Sequence, residues 1–566
     1  MRFRALPSAS LLLLLTAPAA WAQWADDGVP ISINLQQQRG PQIVSDGANG
    51  ALIAWEDMRS GDGDIYVQKL DSSGFPMWTA GGAPVCTSVG HQQDVAMVSD
   101  GAGGAIVIWV DYRDETNGGD VYCRRIDANG TPLWTADGVP LSVGLEAQTT
   151  VKAIEDGAGG AIVTWRDFRN GIDYDVYAQR VDASGVVQWA ANGVAIATEA
   201  GNQNIPGITT DGAGGAIIAY SDARVSTNVN IYAQRVSAAG IPQWTDDGVA
   251  LCTAAGTQRN AVLVPAPFGG AIVTWWDQRS GNFDIYAQHV SSSGAVQWTP
   301  DGVAVCTAAG DQIIAIVDES GNGGVLISWI DRRSGTDDHA YAQFVNSAGL
   351  PKWTADGVRL CNASGDQVPF AIGRDGAGGA VVMWGDTRNG GGIDFNYDVY
   401  ASRINGTGTP MWAPDGVLVC DAPNEQQDGQ LLSDGTGGAF MTWIDNRADQ
   451  YDVYAQRILS TGIVPIITTA VTARTPALHA GDVYPNPFAG SAWLDVELEA
   501  EAPVSIDVFD VAGRLVRATA SHESAGARRF VFDGRDHAGR LLASGVYFYR
   551  IRANGATITR KMVIAR

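Results

Sequence analysis

Short apolar segments separated by glycine-containing turns recur along most of the chain. The segment ALIAWED from Ala51 is mostly apolar, whereas DIYVQKLD from Asp64 alternates apolar and polar residues. Alternation with a period of two is typical of a half-buried strand, and a short apolar run between turn sequences is typical of a buried one. No segment with helical periodicity competes with this pattern. The chain is therefore predicted to be all-β.

The pattern is organised as eight repeats of about 55 residues, because three landmarks each recur eight times. The first is a tryptophan followed by a turn, with spacings of 54, 56, 55, 55, 54, 55 and 59 residues: Trp24, Trp78, Trp134, Trp189, Trp244, Trp298, Trp353 and Trp412. The second is an aromatic residue followed by x-Asp-x-Arg: Trp55, Trp109, Trp165, Tyr220, Trp275, Trp329, Trp384 and Trp443. The third is a tyrosine in the alternating strand: Tyr66, Tyr122, Tyr177, Tyr232, Tyr286, Tyr341, Tyr400 and Tyr454.

Four short strands per repeat at this period predict an eight-bladed β-propeller over residues 23–467. The eighth repeat lacks a tryptophan-led fourth strand, and the first repeat begins with that piece, residues 24–32. The N-terminal strand is therefore expected to complete the last blade and close the ring. An open solenoid is the alternative, but it would need polar capping repeats, and none is visible. The texts DGAGGAIVIW and DVYAQRV resemble the NHL-like or SBBP-like repeats of bacterial extracellular propellers.

The first 22 residues have the three parts of a signal peptide. Arg2 and Arg4 precede an apolar stretch that contains Leu11–Leu15, and Ala20-Trp21-Ala22 forms a small-x-small cleavage site before Gln23. A membrane anchor is the alternative, but the apolar stretch is too short to span a bilayer comfortably. No later segment is apolar enough to cross a membrane, so the processed chain is predicted to have no transmembrane segment.

The sequence changes character after the repeats. A linker at 468–481, rich in Thr, Ala and Pro, leads to a region at 482–566 with short strands and glycine turns, which predicts an immunoglobulin-like β-sandwich. This region resembles the C-terminal sorting domain of the type IX secretion system. The matching residues are Pro485, Asn486, Pro487, Gly513, Arg514, Asp533, Gly534, Gly539, Gly545, Tyr547 and Lys561.

The resemblance implies that residues 482–566 engage the secretion machinery. It also implies export across the outer membrane, followed by removal of the domain and release or anchoring, so the protein is expected in the extracellular space or on the outer cell surface. The flagellar hook-capping (FlgD-like) Ig domain shares the Asp-Gly-x-Asp segment and is the second resemblance. A plain structural sandwich is the remaining alternative.

The composition narrows the set of partners. The formal net charge of -24 repels phosphate backbones, so nucleic acid is not expected as a partner. Export would permit disulfides, but five of the six cysteines occupy the same position in different repeats: Cys86, Cys252, Cys306, Cys361 and Cys420. Equivalent positions of neighbouring blades are too far apart for a disulfide, so buried free thiols are expected.

Two repeated polar series converge on one face of the predicted propeller. One is the Asp-x-Arg pair, and the other is a glutamine near the start of each innermost strand: Gln38, Gln92, Gln148, Gln203, Gln258, Gln312, Gln367 and Gln426. A polar residue in every blade is expected to solve a structural problem that every blade has. The functional alternative is a ring of amides that binds a polar ligand such as a glycan.

Positions that depart from the repeat are better candidates for ligand contact. The residue three before the repeated tyrosine is aromatic in four blades: Tyr174, Phe283, Tyr397 and Tyr451. Aromatic rings can stack on sugars or anchor a protein partner. The loop at 389–397 is the longest of its kind and is a candidate binding loop, although loop drift with the rings folded onto the blade is the alternative.

No catalytic or metal motif stands out. Asp62-Gly63-Asp64 and Asp173-Tyr174-Asp175 offer oxygen atoms to calcium, but neither fits the twelve-residue calcium loop, and the six histidines have no zinc spacing. No cofactor is therefore predicted. The expected function is that of an exported binding or adhesion protein whose propeller recognises a glycan or a surface protein. A secreted polysaccharide hydrolase and a structural surface scaffold are the alternatives.

Overall fold

The computed structural model describes residues 24–32, 36–114, 118–144, 146–225, 228–389, 396–448, 450–465, 478–480, 483–498, 502–511, 514–524, 526–553 and 556–566. The described residues form strands, turns and a single-turn 3-10 helix at Pro267–Gly269, with no α-helix. The chain divides into two compact units, Met1–Ile467 and Thr468–Arg566. The first is called the ring unit below and the second the C-terminal unit. Within the described part of the chain, no helix has the length and hydrophobicity of a membrane span.

The ring unit contains 32 strands. The first sixteen are β1 (Val29–Ser32), β2 (Gln38–Ser45), β3 (Ala51–Asp57), β4 (Asp64–Leu70), β5 (Ala83–Cys86), β6 (Gln92–Ser99), β7 (Ala105–Asp111), β8 (Asp120–Ile126), β9 (Val139–Ser142), β10 (Gln148–Glu155), β11 (Ala161–Asp167), β12 (Asp175–Val181), β13 (Val194–Ala197), β14 (Gln203–Thr210), β15 (Ala216–Val225) and β16 (Asn228–Val236). The second sixteen are β17 (Val249–Cys252), β18 (Gln258–Ala266), β19 (Gly270–Asp277), β20 (Asp284–Val290), β21 (Val303–Cys306), β22 (Gln312–Glu319), β23 (Val325–Asp331), β24 (His339–Val345), β25 (Val358–Arg359), β26 (Gln367–Arg374), β27 (Ala380–Asp386), β28 (Asp398–Ile404), β29 (Val417–Cys420), β30 (Gln426–Ser433), β31 (Ala439–Asp445) and β32 (Asp452–Ile458).

These strands form eight antiparallel four-stranded sheets. Seven sheets use four consecutive strands, from β2-β3-β4-β5 to β26-β27-β28-β29. The eighth has the order β30-β31-β32-β1, so its fourth strand comes from the N-terminus. The first strand of each sheet contacts the first strand of the next, and β30 contacts β2. The sheets therefore close into a propeller-like ring, with the N-terminal strand where the sequence placed it.

The second strand of each sheet is the centre of the hydrophobic core. In β7 every residue is buried, because both faces of the sheet pack against neighbouring sheets. Trp109 is fully buried, and its ring lies directly over Gly138 in the turn before β9. A Cβ atom at Gly138 would lie 2.6 Å from the indole, and the residue has a φ of 100°, so both the space and the backbone require glycine there.

The fourth strand is the cysteine-ended segment. In the first sheet β5 covers Ala83–Cys86, while Trp78 lies outside it, in the connection that follows β4. The indole of Trp78 instead donates a hydrogen bond to the carbonyl of Ala128 in the next sheet, at 3.3 Å. The repeated tryptophans of the first landmark thus tie sheets together rather than begin a strand.

The C-terminal unit has seven described strands: β33 (Leu478–Ala480), β34 (Ala492–Leu498), β35 (Ala502–Asp510), β36 (Leu515–Glu523), β37 (Gly526–Phe532), β38 (Gly545–Ala553) and β39 (Ala556–Ile564). They form the sheets β33-β34-β37 and β36-β35-β38-β39. Leu494, Val508, Phe532 and Tyr549 are buried in one hydrophobic cluster that draws on both sheets. The unit therefore has a core of its own.

Candidate binding site

The repeated Asp-x-Arg pairs lie at the interfaces between sheets and serve the fold. In the second sheet, the indole of Trp109 donates to Asp111 Oδ2 at 2.7 Å, and Arg113 donates to both oxygens of the same carboxylate at 2.8 and 2.6 Å. The guanidinium also donates to the carbonyl of Asp137 at 2.7 Å and covers the ring of Tyr122 at 4.0 Å. These contacts fix the hairpin, as the structural interpretation predicted.

The hydrogen bonds around the Asp-x-Arg aspartate also connect to the preceding sheet, at the residue that ends its fourth strand. Cys86, at the end of β5, lies 3.8 Å from Asp111 Oδ2. All six cysteines are free and buried, which confirms the expectation from their spacing. In the fifth sheet, burial alone would raise the pKa of Asp277, but hydrogen bonds from Arg279 and Trp275 outweigh it and hold that pKa below the ordinary range. The carboxylate is therefore a charged structural element.

The eight repeated glutamines are buried inside the protein. Gln92 donates through Nε2 to the carbonyls of Gly90 at 2.8 Å and Ser88 at 3.3 Å, and through its backbone to Gly63 at 2.6 Å. The set shares this burial: Gln38, Gln92, Gln148, Gln203, Gln258, Gln312, Gln367 and Gln426. A side chain without exposed surface cannot hold a ligand, so we correct the expectation of an amide ring and leave these residues out of the binding site.

Variable residues line the open end of the ring beside these fixed positions. The second residue of each first strand pairs across the sheet with the residue between the aromatic and the aspartate of the second strand. The pairs are Arg39–Glu56, Gln93–Val110, Thr149–Arg166, Asn204–Ser221, Arg259–Trp276, Ile313–Ile330, Val368–Gly385 and Gln427–Ile444. We call this set, with the residues that border it at the same end of the ring, the mouth. Its chemistry differs from sheet to sheet, as recognition of an asymmetric ligand requires.

The four aromatic residues expected to bind ligand border the mouth and are half-buried. Tyr174 packs on Phe168 with ring centroids 5.0 Å apart. Phe283 meets Trp276 edge-on at 6.1 Å. The two remaining rings are held in the same way, Tyr397 by Phe370 at 6.3 Å and Tyr451 by a 2.6 Å hydrogen bond to Glu425. Most of the candidate loop at 389–397 falls outside the described residues. The rings are thus fixed platforms rather than loose loop tips.

A charged recess of about 320 Å³ opens at the mouth between the first three sheets. Arg39, Glu56, Asp94 and Lys152 line it. The repeat pattern does not predict this group, although Glu56 is the only acid at its position of the repeat and is a signal for it.

Glu56 is the most perturbed acid of the recess. His91 Nε2 lies 3.1 Å from its carboxylate, and His91 Nδ1 accepts a hydrogen bond from the backbone of Gly63 at 2.9 Å. Because Nδ1 accepts, the proton of a neutral ring sits on Nε2, the nitrogen nearer to Glu56. Burial raises the pKa of Glu56, and Asp94 adds to the rise, while His91 and Arg39 oppose it.

The first strands carry a backbone irregularity at the mouth. Their third residue has a positive φ in most sheets, including 59° at Thr150, 51° at Ile205 and 53° at Ile314. β-branched residues rarely adopt this conformation, so the backbone is strained where it borders the opening. Each register shift of a first strand falls at this point. The strain fixes the direction in which the mouth side chains project.

Below the mouth, the channel narrows to a cavity of about 360 Å³ with mostly aliphatic walls. Ile208, Leu263, Val317 and Leu431 supply part of the wall, and Lys152 reaches its upper part. The described residues contain no group of three or more metal-ligating side chains. In one of the two loops considered for calcium, Asp173 accepts hydrogen bonds from Asn170 and from the backbone of Gly201, both at 2.6 Å.

Comparison with known proteins identifies the C-terminal unit. The family described as "Secretion system C-terminal sorting domain" matches residues 482–565. The chain therefore carries a type IX sorting domain and is a protein of the cell surface or extracellular space. No curated protein matches the sequence.

Several solved structures resemble the chain in fold. A puromycin hydrolase is 15% identical, with 75% of this chain and 60% of that chain covered and a TM-score of 0.41. A polysaccharide lyase, an ulvan lyase, is 10% identical, with 78% and 96% covered and a TM-score of 0.42. FlgD from P. aeruginosa is 22% identical over 13% of this chain and 59% of that one, with a TM-score of 0.12. The chain thus spans less than two thirds of the puromycin hydrolase, and these likenesses carry no argument about activity.

Proposed function

We propose that this protein is an exported glycan-binding protein, an eight-bladed β-propeller displayed or released through an immunoglobulin-like sorting domain. The observation that carries the proposal is the division of labour between positions. The aspartates and glutamines that recur from sheet to sheet are buried in the fold, whereas the first-strand residues of the mouth, which vary between sheets, are exposed or half-buried. A scaffold of similar sheets whose mouth residues differ from sheet to sheet is suited to recognition of a ligand.

The half-buried aromatic rings favour a glycan as the ligand. Phe283 presents a planar apolar surface held in place by Trp276, while the ring of Tyr174 packs on Phe168 and is covered by the guanidinium of Arg166 at 3.9 Å. A rigid ring binds a sugar face with little loss of conformational freedom. Gln93, Asn204 and Gln427 add amides at the same level of the wall, where they can bond to hydroxyl groups.

Binding of the purified chain to a glycan array tests the proposal. For a glycan that binds, Tyr174→Ala and Phe283→Ala should each weaken binding by about tenfold, since each removes a buried stacking surface. Phe75→Ala is the matched control, because Phe75 is an exposed ring in the connection after β4, at the opposite end of the sheet. Silence of a folded sample on the array would contradict the proposal. Release of new reducing ends, lost in Glu56→Gln, would favour the hydrolase alternative instead.

A further inference from the structure

Most basic residues of the ring unit are engaged with carboxylates. Each Asp-x-Arg arginine pairs with its aspartate. At the opposite end of the ring, a second series pairs with the aspartates of the first hairpins: Lys69, Arg125, Arg180, Arg235, Arg403 and Arg457. In a chain of net charge -24, a cation without a carboxylate partner is therefore unusual.

Four cations at or just inside the mouth depart from this rule. Arg39, Lys152, Arg166 and Arg259 form no ion pair with any described carboxylate. Elsewhere in the ring unit, Arg124 and Arg359 donate to backbone carbonyls, and Lys352 also lacks an acidic partner. The unpaired positive charge of the ring is thus concentrated at its open end.

The surroundings of these cations fit a ligand group rather than a protein partner. The guanidinium of Arg166 lies 3.9 Å from the ring centre of Tyr174, and its Nε–H is buried without an acceptor. The guanidinium of Arg259 lies 5.9 Å from the ring centre of Phe283. A cation held beside an aromatic face offers a carboxylate partner next to a stacking surface. Arg39 and Lys152 line the recess and are exposed.

The spacing of the charges limits the kind of anion. The four cations come from the first, third and fifth sheets, and exposed carboxylates of Asp94 and Asp428 lie at the same end of the first strands. A polymer with two or more charged groups on each unit would meet these carboxylates and be repelled. A single carboxylate on each hydroxyl-bearing ring reduces that repulsion.

We infer that the mouth binds an acidic polysaccharide of the polyuronate type, whose separated carboxylates are contacted by these four cations. This inference rests on the proposed glycan binding and names its ligand class. The carboxylates pair with the cations, and the sugar rings stack on the adjacent aromatic faces. The channel below the mouth is too apolar to attract a charged chain, so the ligand lies across the opening.

Titration of the full chain with polygalacturonate, dextran and dextran sulfate tests the inference. Polygalacturonate is expected to bind at least about tenfold more tightly than dextran, and its affinity should fall with added salt. Arg39→Gln, Lys152→Gln and Arg259→Gln should each weaken polygalacturonate binding by about five- to tenfold. Lys352→Gln removes the same charge away from the mouth and should have no effect.

The outcomes separate the two proposals. Binding of dextran or another neutral glycan without preference for polygalacturonate overturns the charge inference but leaves glycan binding standing. Stronger binding of dextran sulfate than of polygalacturonate, or an equal loss in Lys352→Gln, overturns it as well. If a folded sample binds no saccharide of any kind, the proposed function itself fails, and the inference fails with it.

Discussion

At the scale of single residues, two rows of buried aspartates have opposite electrostatics. The aspartate of each Asp-x-Arg pair has an arginine and, in most sheets, an indole as donors, as Asp277 shows. Asp175, which begins the third strand of the third sheet, is also buried, but the neutral amide of Asn170 donates to it in place of an arginine. Burial and the nearby charge of Asp173 raise the pKa of Asp175 to about 6, and one of its oxygens has no hydrogen-bond partner. In the fourth and sixth sheets this position holds Asn230 and His339 instead.

Replacement of Asp175 by asparagine should therefore stabilise the protein above pH 6. The folded-state pKa lies above the unfolded value of 3.8, so the aspartate favours the folded state only at low pH and costs stability as the pH rises through about 6. We expect Asp175→Asn to raise the free energy of unfolding by about 1–2 kcal/mol at pH 8 and by about half as much at pH 5. Urea unfolding at both pH values measures this. An equal effect at the two values would show that the charge is not the cause.

His339 indicates why an amide suits this position. Its Nδ1 lies 2.8 Å from Oε1 of Gln367, the glutamine of the following sheet. For Asp175 in the third sheet the corresponding residue is Gln203 of the fourth sheet, whose Oε1 is buried and has no partner. An asparagine at 175 brings an N–H donor to a place that now holds two acceptors, which adds to the stability expected from loss of the charge.

At the scale of elements, β1 is the strand on which closure depends. It pairs with β32, Trp24 packs against Phe440 at 5.9 Å, and Arg447 donates to the carbonyl of Asp27 at 2.7 Å. Gln456 donates to the carbonyl of Ala25 at 2.6 Å. The N-terminal piece thus makes the contacts that each fourth strand and its preceding turn make in the other sheets.

Deletion of residues 24–32 should open the ring at this sheet. The β32 edge would then present unpaired backbone groups, and such edges associate with other chains. We expect the shortened protein to form dimers or larger species in size-exclusion chromatography with light scattering, and to be cut by protease after Ile458. The chain that begins at Gln23 is the control and should remain monomeric. A monomeric, protease-resistant deletion variant would show that the other sheets close the ring without β1.

The elements could largely be predicted from the sequence, because the aromatic and glycine landmarks repeat with the strands. The repeat period predicted eight sheets. The absence of a fourth strand from the last repeat predicted that the N-terminal strand closes the ring. The positive φ at Thr150 and Ile205 could not be predicted, since these residue types disfavour it and only the crowded inner edge imposes it. The start of the fourth strand could not be predicted for a similar reason. Trp78 has strand propensity and is expected to lead that strand, but its side chain packs onto the next sheet.

The candidate site was harder to predict than the fold. The sequence points to residues that recur, and in this ring the recurring polar residues are buried. Gln92 is one example, since only its contacts with Gly90 and Ser88 show that its amide N–H group is already engaged inside the protein. Glu56 and Lys152 lie in unrelated parts of the sequence pattern, and the recess between sheets alone brings them together.

At the scale of the whole molecule, the sorting domain and the ring are separate compact units, each with a core of its own. Removal of residues 482–566 should therefore abolish delivery to the cell surface while leaving the thermal unfolding midpoint of the ring within about 2 °C. Cell fractionation and calorimetry of the truncated protein measure the two effects. A truncated chain that still reaches the surface would show that the sorting signal lies elsewhere, and a destabilised ring would show that the units depend on each other.

The pairing of β1 with β32 can form only when both ends of the repeat array are present. The two strands stand at opposite ends of the repeat array, and the bond from Arg447 to Asp27 joins residues 420 positions apart. Every other sheet is finished as soon as its own repeat exists, but this one needs both ends of the array at once. A chain cut short by interrupted synthesis or by a protease keeps an open edge, which exposes partial copies to capture by proteases and chaperones.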